Sequence, residues 1–276
     1  MSTAFIDSAD KGDQVICLHS SMSSSRQWEG LMHRLQHSYR VTALDLHGYG
    51  HGPELTAETA FSLDREVEIL ATVVDQVDGP IHLVGHSYGG AVAIKAAQAY
   101  GQRIRSLTLY EPVVFSALFS VSADQPASVE VSRLIEDIQG AYRCGDLFHA
   151  AQRFIDYWSG PGTWETIPFQ KKLGLSKKIP VVLENFEALV SEPNALAGLA
   201  SIQILTLYLS GRESPASVQV ISELLIQRLP SVDAYQFPDL GHMGPITHSA
   251  IVNDRIEGFI QRQTVTEQQK GYPLAA

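Results

Sequence analysis

Short apolar runs rich in β-branched residues alternate along this chain with longer segments of helical period. The runs cover residues 15–19, 40–45, 81–85, 104–110, 204–210 and 232–237. Several are apolar at nearly every position, which is typical of strands covered on both faces of a sheet. Strands that alternate with helices in this way favour a parallel sheet with crossover connections. The sequence therefore predicts an α/β fold, with a mostly parallel sheet and helices on both faces.

The helical segments have clear signals of their own. Apolar residues recur at steps of three and four between residues 63 and 77, which predicts an amphipathic helix that ends before Gly79. Further helices are predicted at residues 87–99 and 249–260. We expect the chain to fray after residue 260, with a flexible tail over residues 266–276.

The alternation stops between Pro112 and about Ala200. This stretch has helical patterns at residues 129–142, 146–158 and 180–190, and it contains six of the ten Phe and two of the three Trp residues. Any helical layer needs such residues for its core, but they also suit a cap whose underside lines a pocket. We predict a helical cap over residues 113–200, inserted into an α/β core of residues 1–112 and 201–265.

Composition excludes several classes of protein. Lys and Arg total 20 against 30 Asp and Glu, a formal charge of −10, which disfavours nucleic-acid binding. No apolar run reaches the roughly 18 residues of a membrane span, and the first residues do not resemble a signal peptide, so we expect a cytoplasmic protein without a membrane partner. Cys17 and Cys144 share no spacing pattern and are expected to be buried small hydrophobes. Neither a zinc spacing nor a phosphate-binding glycine motif occurs, so no metal or cofactor is expected.

One motif in the sequence indicates a catalytic residue. Residues 81–91 join an apolar strand to G-x-S-x-G, centred on Ser87, and then to a helix of small residues. A serine on so sharp a turn has a strained backbone, and glycine two residues to either side lets the chain pass without a clash. Ser87 would project at the positive end of the following helix, where negative charge is stabilised. The alternative is an ordinary glycine-rich turn whose serine caps the helix, but the flanking strand and helix favour a nucleophile.

Four motifs in this order resemble those of the α/β-hydrolase superfamily, over nearly the whole chain. They are the C-L-H-S-S-M loop at residues 17–22, the D-x-x-G-x-G turn at 45–50, the turn at Ser87 and the G-H-M turn at 241–243. The resemblance implies a triad in the chain order nucleophile, acid, histidine. It also implies a helical cap after the family's sixth strand.

A serine hydroxyl is a poor nucleophile at neutral pH and needs an imidazole to take its proton. We predict His242 as that base, because it lies in a glycine turn after a late strand and just before the final helix. His86 adjoins the nucleophile, but neighbouring side chains at such a turn point apart. The resemblance implies that His19 shapes the oxyanion loop.

The acid departs from the family pattern. The family usually has G-x-x-D after its seventh strand, whereas residues 211–214 here are G-R-E-S, with Ser214 in place of the aspartate. Some members place the acid after the sixth strand, where this chain has Glu111, and the ends of parallel strands open on one edge. We predict Glu111 as the acid, with Glu213 as second choice and Asp239 as a distant third. The alternative role for Glu111 is to cap the start of the inserted helices.

The resemblance also implies an oxyanion hole. Its two donors would be the backbone N–H groups of Tyr88 and Ser21, and each such donor lowers the barrier by roughly 3 kcal/mol in a dry site. The family loop usually reads H-G-x, whereas Ser20 replaces the glycine here.

These residues predict hydrolysis of a small to medium apolar carboxylic ester or lactone through an acyl-enzyme. A serine at position 87 separates the chain from the superfamily branches that use an aspartate there. Carbon–carbon bond hydrolysis of diketone-like compounds and cofactor-free perhydrolysis are alternatives on the same machinery. A third alternative is a small-ligand binding protein on a hydrolase scaffold, favoured by the missing aspartate at Ser214.

Overall fold

A computed structural model describes residues 5–7, 12–55, 61–193 and 195–270 of the chain. Seven strands of this described part form one sheet: β1 Phe5–Asp7, β2 Gln14–Leu18, β3 Arg40–Leu44, β4 Ile81–His86, β5 Ile104–Tyr110, β6 Leu205–Gly211 and β7 Val232–Phe237. Their order across the sheet is β1-β3-β2-β4-β5-β6-β7. The strand β1 is antiparallel to β3, and the other six strands are parallel.

Helices lie between the strands and after the last one. They are α1 Glu29–Leu35, α2 Leu63–Val74, α3 Tyr88–Tyr100, α4 Phe115–Val121, α5 Pro126–Arg143, α6 Leu147–Ser159, α7 Thr163–Thr166, α8 Phe169–Ser176, α9 Ile179–Ser191, α10 Ala216–Ile226, α11 Gly244–Thr247 and α12 Ser249–Lys270. The predicted α/β fold with a mostly parallel sheet is confirmed. All six predicted strands are present within one or two residues of their expected bounds.

Both faces of the sheet are covered, which explains why the strands are apolar on both alternations. On one face, α1 and α12 bury Leu31, Ile256 and Phe259 in a cluster of their own. On the other face, α2, α3 and α10 contribute to a larger cluster that includes Val92 and Ile221. Every residue of the central strands β2 and β4 is buried.

Six helices, α4 to α9, lie between β5 and β6. They form the inserted helical cap that the sequence predicted, although the proposed bounds of 113–200 stay a prediction. Three cap helices carry rings that pack together, with centroids 6.0 Å apart for Phe115 and Phe186 and 6.1 Å for Phe154 and Phe186. Large apolar side chains therefore hold this layer together, as the aromatic content indicated.

Three expectations need correction. The strand β1 was not predicted, because three residues are too few to form a pattern. The expected fraying is wrong for residues 261–270, because α12 continues to Lys270. Residues 271–276 of the expected tail lie outside the described part. No glycine or proline interrupts residues 261–270, so the helix meets no stop signal there. Cys17 is buried as expected, but Cys144 is exposed.

Replacement of Phe259 by alanine should lower the free energy of unfolding by about 3–5 kcal/mol, because it leaves a cavity between α12 and the sheet. The Phe259 side chain is 1% exposed, whereas Ile251 on the same helix is 52% exposed. Ile251→Ala is the matched control and should change stability by about 0.5 kcal/mol or less. Urea unfolding of both variants measures the difference, and equal losses would contradict the described packing of α12.

Candidate active site

Ser87 lies on a turn between β4 and α3. Its φ of 55° and ψ of −117° form a strained conformation for a residue with a side chain. A Cβ added to Gly85 would lie 2.4 Å from the Gly89 carbonyl oxygen, and one added to Gly89 would lie 2.5 Å from the His19 carbonyl oxygen. Both glycines of the motif are therefore required by close backbone approach. The turn places Ser87 immediately before the first residue of α3.

Three of the predicted site residues form one row of hydrogen bonds. The Ser87 Oγ lies 2.8 Å from His242 Nε2, and His242 Nδ1 lies 2.8 Å from Glu111 Oε2. The carboxylate oxygen accepts from Nδ1–H, so Nε2 is free to accept the serine proton. Ser87, His242 and Glu111 are 5%, 2% and 1% exposed, so all three residues are buried.

Glu111 is held in place by the neighbouring strand β6 and the turn that follows it. It follows β5 with a φ of 43°, and its N–H donates to the Leu209 carbonyl at 3.1 Å. The Gly211 N–H donates to Glu111 Oε1 at 2.7 Å, and the Ser214 hydroxyl lies 2.7 and 2.9 Å from the two carboxylate oxygens. Ser214, which replaces the family aspartate, thus supports a carboxylate that comes from the neighbouring strand.

The two other acid candidates do not take this place. Glu213 and Asp239 are both exposed. Glu213 lines the cavity above the site, while its N–H donates to the Leu240 carbonyl at 2.9 Å. Among the described residues, the only carboxylate bonded to the His242 ring is that of Glu111.

His86 supports the loop that carries His242. Its Nε2 lies 2.8 Å from the His242 carbonyl oxygen, and its Nδ1 lies 3.1 Å from the Gln27 side-chain amide nitrogen. A carbonyl accepts and an amide N–H donates, so His86 is neutral with its proton on Nε2. Burial, and then the nearby His242, lowers the pKa of His86 well below its ordinary value of 6.5.

Of the two predicted oxyanion residues, one adjoins Ser87 in the chain and the other lines its cavity. Tyr88 follows it as the first residue of α3, and Ser21 lines the same cavity as Ser87. The Ser20 N–H and hydroxyl both donate to Gln27 Oε1 at 3.1 Å, so the loop is fixed by a side chain in spite of the missing glycine. The roles of Tyr88 and Ser21 stay predictions.

Sequence reasoning missed two buried polar groups behind this loop. Asn185 on α9 accepts hydrogen bonds from the Ser21 hydroxyl at 2.9 Å and the Tyr49 hydroxyl at 2.6 Å. Glu66 on α2 is fully buried and accepts from the Tyr88 hydroxyl at 2.9 Å. Asn185 lies 164 residues from Ser21 in the chain, so no local pattern links the two. A lone amide on an otherwise apolar helix face was the available signal.

A cavity of about 1250 Å³ opens above Ser87 and His242. Its apolar wall comes largely from the cap and includes Val113, Phe115, Phe154, Trp158 and Phe186. No group of three or more His, Cys, Asp or Glu side chains within the described ranges could hold a metal ion. No helix in those ranges is both long and apolar enough to cross a bilayer.

This arrangement suits attack by a hydroxyl on an electrophilic carbon. An imidazole bonded to the Ser87 hydroxyl can take its proton, a buried carboxylate orients that imidazole, and the positive end of α3 stabilises negative charge. Residues 13–249, which are most of the chain, match the alpha/beta hydrolase fold family. The chain belongs to this family.

Several proteins that are similar to the chain are named as lipases, esterases or hydrolases. The chain is 37% identical over 102 residues to the lipase LipV of Mycobacterium tuberculosis, and the aligned segment covers 37% of this chain and 38% of the lipase. It is 24% identical over 246 residues to a pimeloyl-[acyl-carrier protein] methyl ester esterase of Nitrosomonas europaea, covering 88% of this chain and 93% of that one. A solved structure, the alpha/beta hydrolase enzyme MGS-M2 from a Medee basin deep-sea metagenome library, superposes with a TM-score of 0.78 at 15% identity over 93% of both chains.

Glu111→Gln should lower ester turnover by orders of magnitude, because an amide cannot stabilise the imidazolium that forms on His242. Glu213→Gln is the matched control and should change turnover by only a few-fold. Steady-state kcat on a chromogenic ester measures both. The reverse pattern would transfer the acid role to Glu213.

His86 should make the protein less stable in acid. Its folded pKa lies well below 6.5, so below that pH the unfolded chain binds a proton that the folded protein does not. The free energy of unfolding therefore falls as pH drops below about 6.5, by up to about 1.4 kcal/mol per pH unit from this residue. His86→Gln keeps a donor and an acceptor without titrating, so this part of the slope should disappear.

Urea unfolding at pH 7.5, 6 and 5 measures the effect. His33→Gln, at an exposed residue, is the control and should keep the wild-type slope. Equal slopes for wild type and His86→Gln would contradict a neutral buried His86.

Proposed function

We propose that this protein hydrolyses a carboxylic ester or lactone through an acyl-enzyme on Ser87. The observation that carries the proposal is the row of two 2.8 Å hydrogen bonds from Ser87 through His242 to Glu111. In this role Ser87 is the nucleophile, His242 the general base and acid, and Glu111 the triad acid.

The reaction begins when Ser87 Oγ attacks the carbonyl carbon while His242 Nε2 takes the hydroxyl proton. Glu111, bonded to Nδ1, stabilises the positive charge that results on the imidazole. His242 then gives the proton to the departing alcohol oxygen, and the carbon–oxygen bond breaks. Water hydrolyses the acyl-enzyme by the same steps, which returns Ser87 to its starting form.

The negative oxygen of the tetrahedral intermediate needs donors that are already in place. We assign this role to the backbone N–H groups of Tyr88 and Ser21. The proposal is supported by the tie between the two segments, since the Gly89 N–H donates to the His19 carbonyl at 3.1 Å. The hydrogen bond from Ser21 to Asn185 further holds the loop against the cap.

The cavity favours a small to medium apolar substrate. Its walls are mainly apolar and aromatic, and the net charge of −10 disfavours strongly anionic molecules. A similar esterase acts on a methyl ester, as its name states. We include in the proposal a cap over residues 113–200 that encloses the substrate, a location in the cytoplasm, and a reaction without a cofactor.

A fluorophosphonate probe should label the protein rapidly and stoichiometrically at Ser87, because the activated hydroxyl displaces fluoride from phosphorus. Mass spectrometry of the peptide containing Ser87 measures this, and Ser87→Ala is the blank. The same two proteins are then tested on chromogenic esters and lactones of varied chain length and on a diketone.

Labelling together with ester turnover that is lost in Ser87→Ala supports the proposal. A protein that is inert to a high probe concentration and turns over no ester would instead be a ligand-binding protein. Turnover of the diketone alone would point to carbon–carbon bond hydrolysis.

A further inference from the structure

Gln27 lies between the loop that follows β2 and the turn at Ser87. It belongs to a short 3₁₀ helix, Ser25–Trp28, and its side chain is half-buried. The Ser20 N–H and hydroxyl both donate to Gln27 Oε1 at 3.1 Å, and Gln27 Nε2 lies 3.1 Å from His86 Nδ1. One side chain therefore joins the loop predicted to bind the oxyanion to the residue beside the predicted nucleophile.

The direction of these hydrogen bonds follows from the groups at the two ends. A backbone N–H can only donate, so the amide oxygen of Gln27 faces Ser20 and its NH₂ group faces His86. The His242 carbonyl can only accept, so His86 Nε2, 2.8 Å away, carries the ring proton and Nδ1 accepts from Gln27. The row runs in one direction from Ser20 to His242, and hydrogen bonds aligned in this way strengthen one another.

The peptide group that follows Ser20 is held on its other side too. Its carbonyl oxygen lies 2.7 Å from His19 Nδ1 and accepts from the Ser23 N–H at 3.2 Å. Because the Leu46 N–H donates to His19 Nε2 at 3.1 Å, Nδ1 carries the proton of that ring. The N–H of a trans peptide points away from its carbonyl, so these bonds set the direction of the Ser21 N–H, the predicted oxyanion donor.

The other end of the row holds the predicted base. The carbonyl that accepts from His86 Nε2 is that of His242 itself, so this bond fixes the backbone from which the imidazole projects. Within the described part of the chain, neither Gln27 nor His86 lines the cavity above Ser87. Their effect on a reaction would therefore pass through the two loops and not through contact with a substrate.

We propose that Gln27 is a positioning residue that holds the predicted oxyanion loop and the predicted base in a fixed arrangement around Ser87. Oxyanion donors stabilise a tetrahedral intermediate most when they are in place before the charge develops. A side chain that fixes both loops therefore acts on the transition state more than on substrate binding. The inference rests on the proposed function of Ser87 and His242.

The first test replaces Gln27 by methionine, which is similar in size but has no donor and only a weak acceptor. In Gln27→Met, kcat on a chromogenic hexanoate ester should fall by roughly tenfold or more, with KM changed by less than about twofold, because misplaced groups raise the barrier. A purely structural role would lower the melting temperature and leave kcat unchanged in the folded protein. That result would overturn the proposal.

Two inhibitors separate an effect on the transition state from an effect on the ground state. An alkyl boronic acid forms a tetrahedral adduct with the Ser87 hydroxyl, whereas a dialkyl ether of the same length only occupies the cavity. Gln27→Met should weaken the binding of the boronic acid by about the same factor as it lowers kcat/KM, and should leave the affinity for the ether unchanged. A similar loss for both inhibitors would overturn the proposal.

Arg26→Met is the matched control. Arg26 precedes Gln27 in the same short helix, and its side chain is 81% exposed. This variant should keep the wild-type kcat, KM and affinity for the boronic acid. If it loses as much as Gln27→Met does, the proposal is wrong.

A second measurement does not depend on catalysis. In ¹⁵N-labelled wild-type protein, the His86 ring should carry its proton on Nε2 and none on Nδ1. The side chain of Gln27→Glu is half-buried and ionised at pH 7, so it has no proton to donate, and His86 Nδ1 should become protonated in that variant. A wild-type ring protonated on Nδ1, or a ring in the same state in both proteins, would overturn the proposal.

Failure of the proposed function is distinguishable from failure of this inference. If the proposed function is wrong, wild-type protein hydrolyses no ester and does not bind the boronic acid, whereas the His86 ring still reports the hydrogen bond from Gln27. If only the inference is wrong, wild type and Gln27→Met hydrolyse the ester equally well.

Discussion

The common edge at which parallel strands end is the constraint on which the site depends. In-register pairing sets Tyr110 beside both His86 and Leu209, so the residues that follow these strands emerge side by side. Ser87 and Glu111 come from such neighbouring strand ends. A carboxylate placed after either of two neighbouring strands can therefore reach the same imidazole. This geometry explains how Glu111 reaches the His242 ring although Ser214 stands after the next strand.

Buried charge is tolerated here because each carboxylate is bonded. A carboxylate taken out of water is costly unless hydrogen bonds replace its hydration. The Glu111 carboxylate accepts hydrogen bonds from the Gly211 N–H, the Ser214 hydroxyl and the His242 ring. The buried Glu66 carboxylate accepts a hydrogen bond from the hydroxyl of Tyr88, the residue after Ser87. Two hydrogen-bonded acids therefore lie near the turn at Ser87.

The cap does more than enclose a pocket. Asn185 bonds to the loop after β2 through the Ser21 hydroxyl, and Trp158 packs against the His242 ring. Aromatic side chains such as Phe115 and Phe186 give this layer its own core. The cap thereby contacts both the loop predicted to bind the oxyanion and the predicted base.

Local patterns in the sequence determined the six parallel strands, the turn at Ser87 and the family, because strand alternation and glycine spacing are written in neighbouring residues. They also singled out His242, but they left the acid open among three carboxylates. Only the tertiary structure decided which carboxylate contacts the imidazole, since Glu111 and His242 are 131 residues apart. The contacts of Asn185 and Trp158 were invisible for the same reason. Distances between remote parts of the chain depend on how layers pack, and no local periodicity encodes that packing.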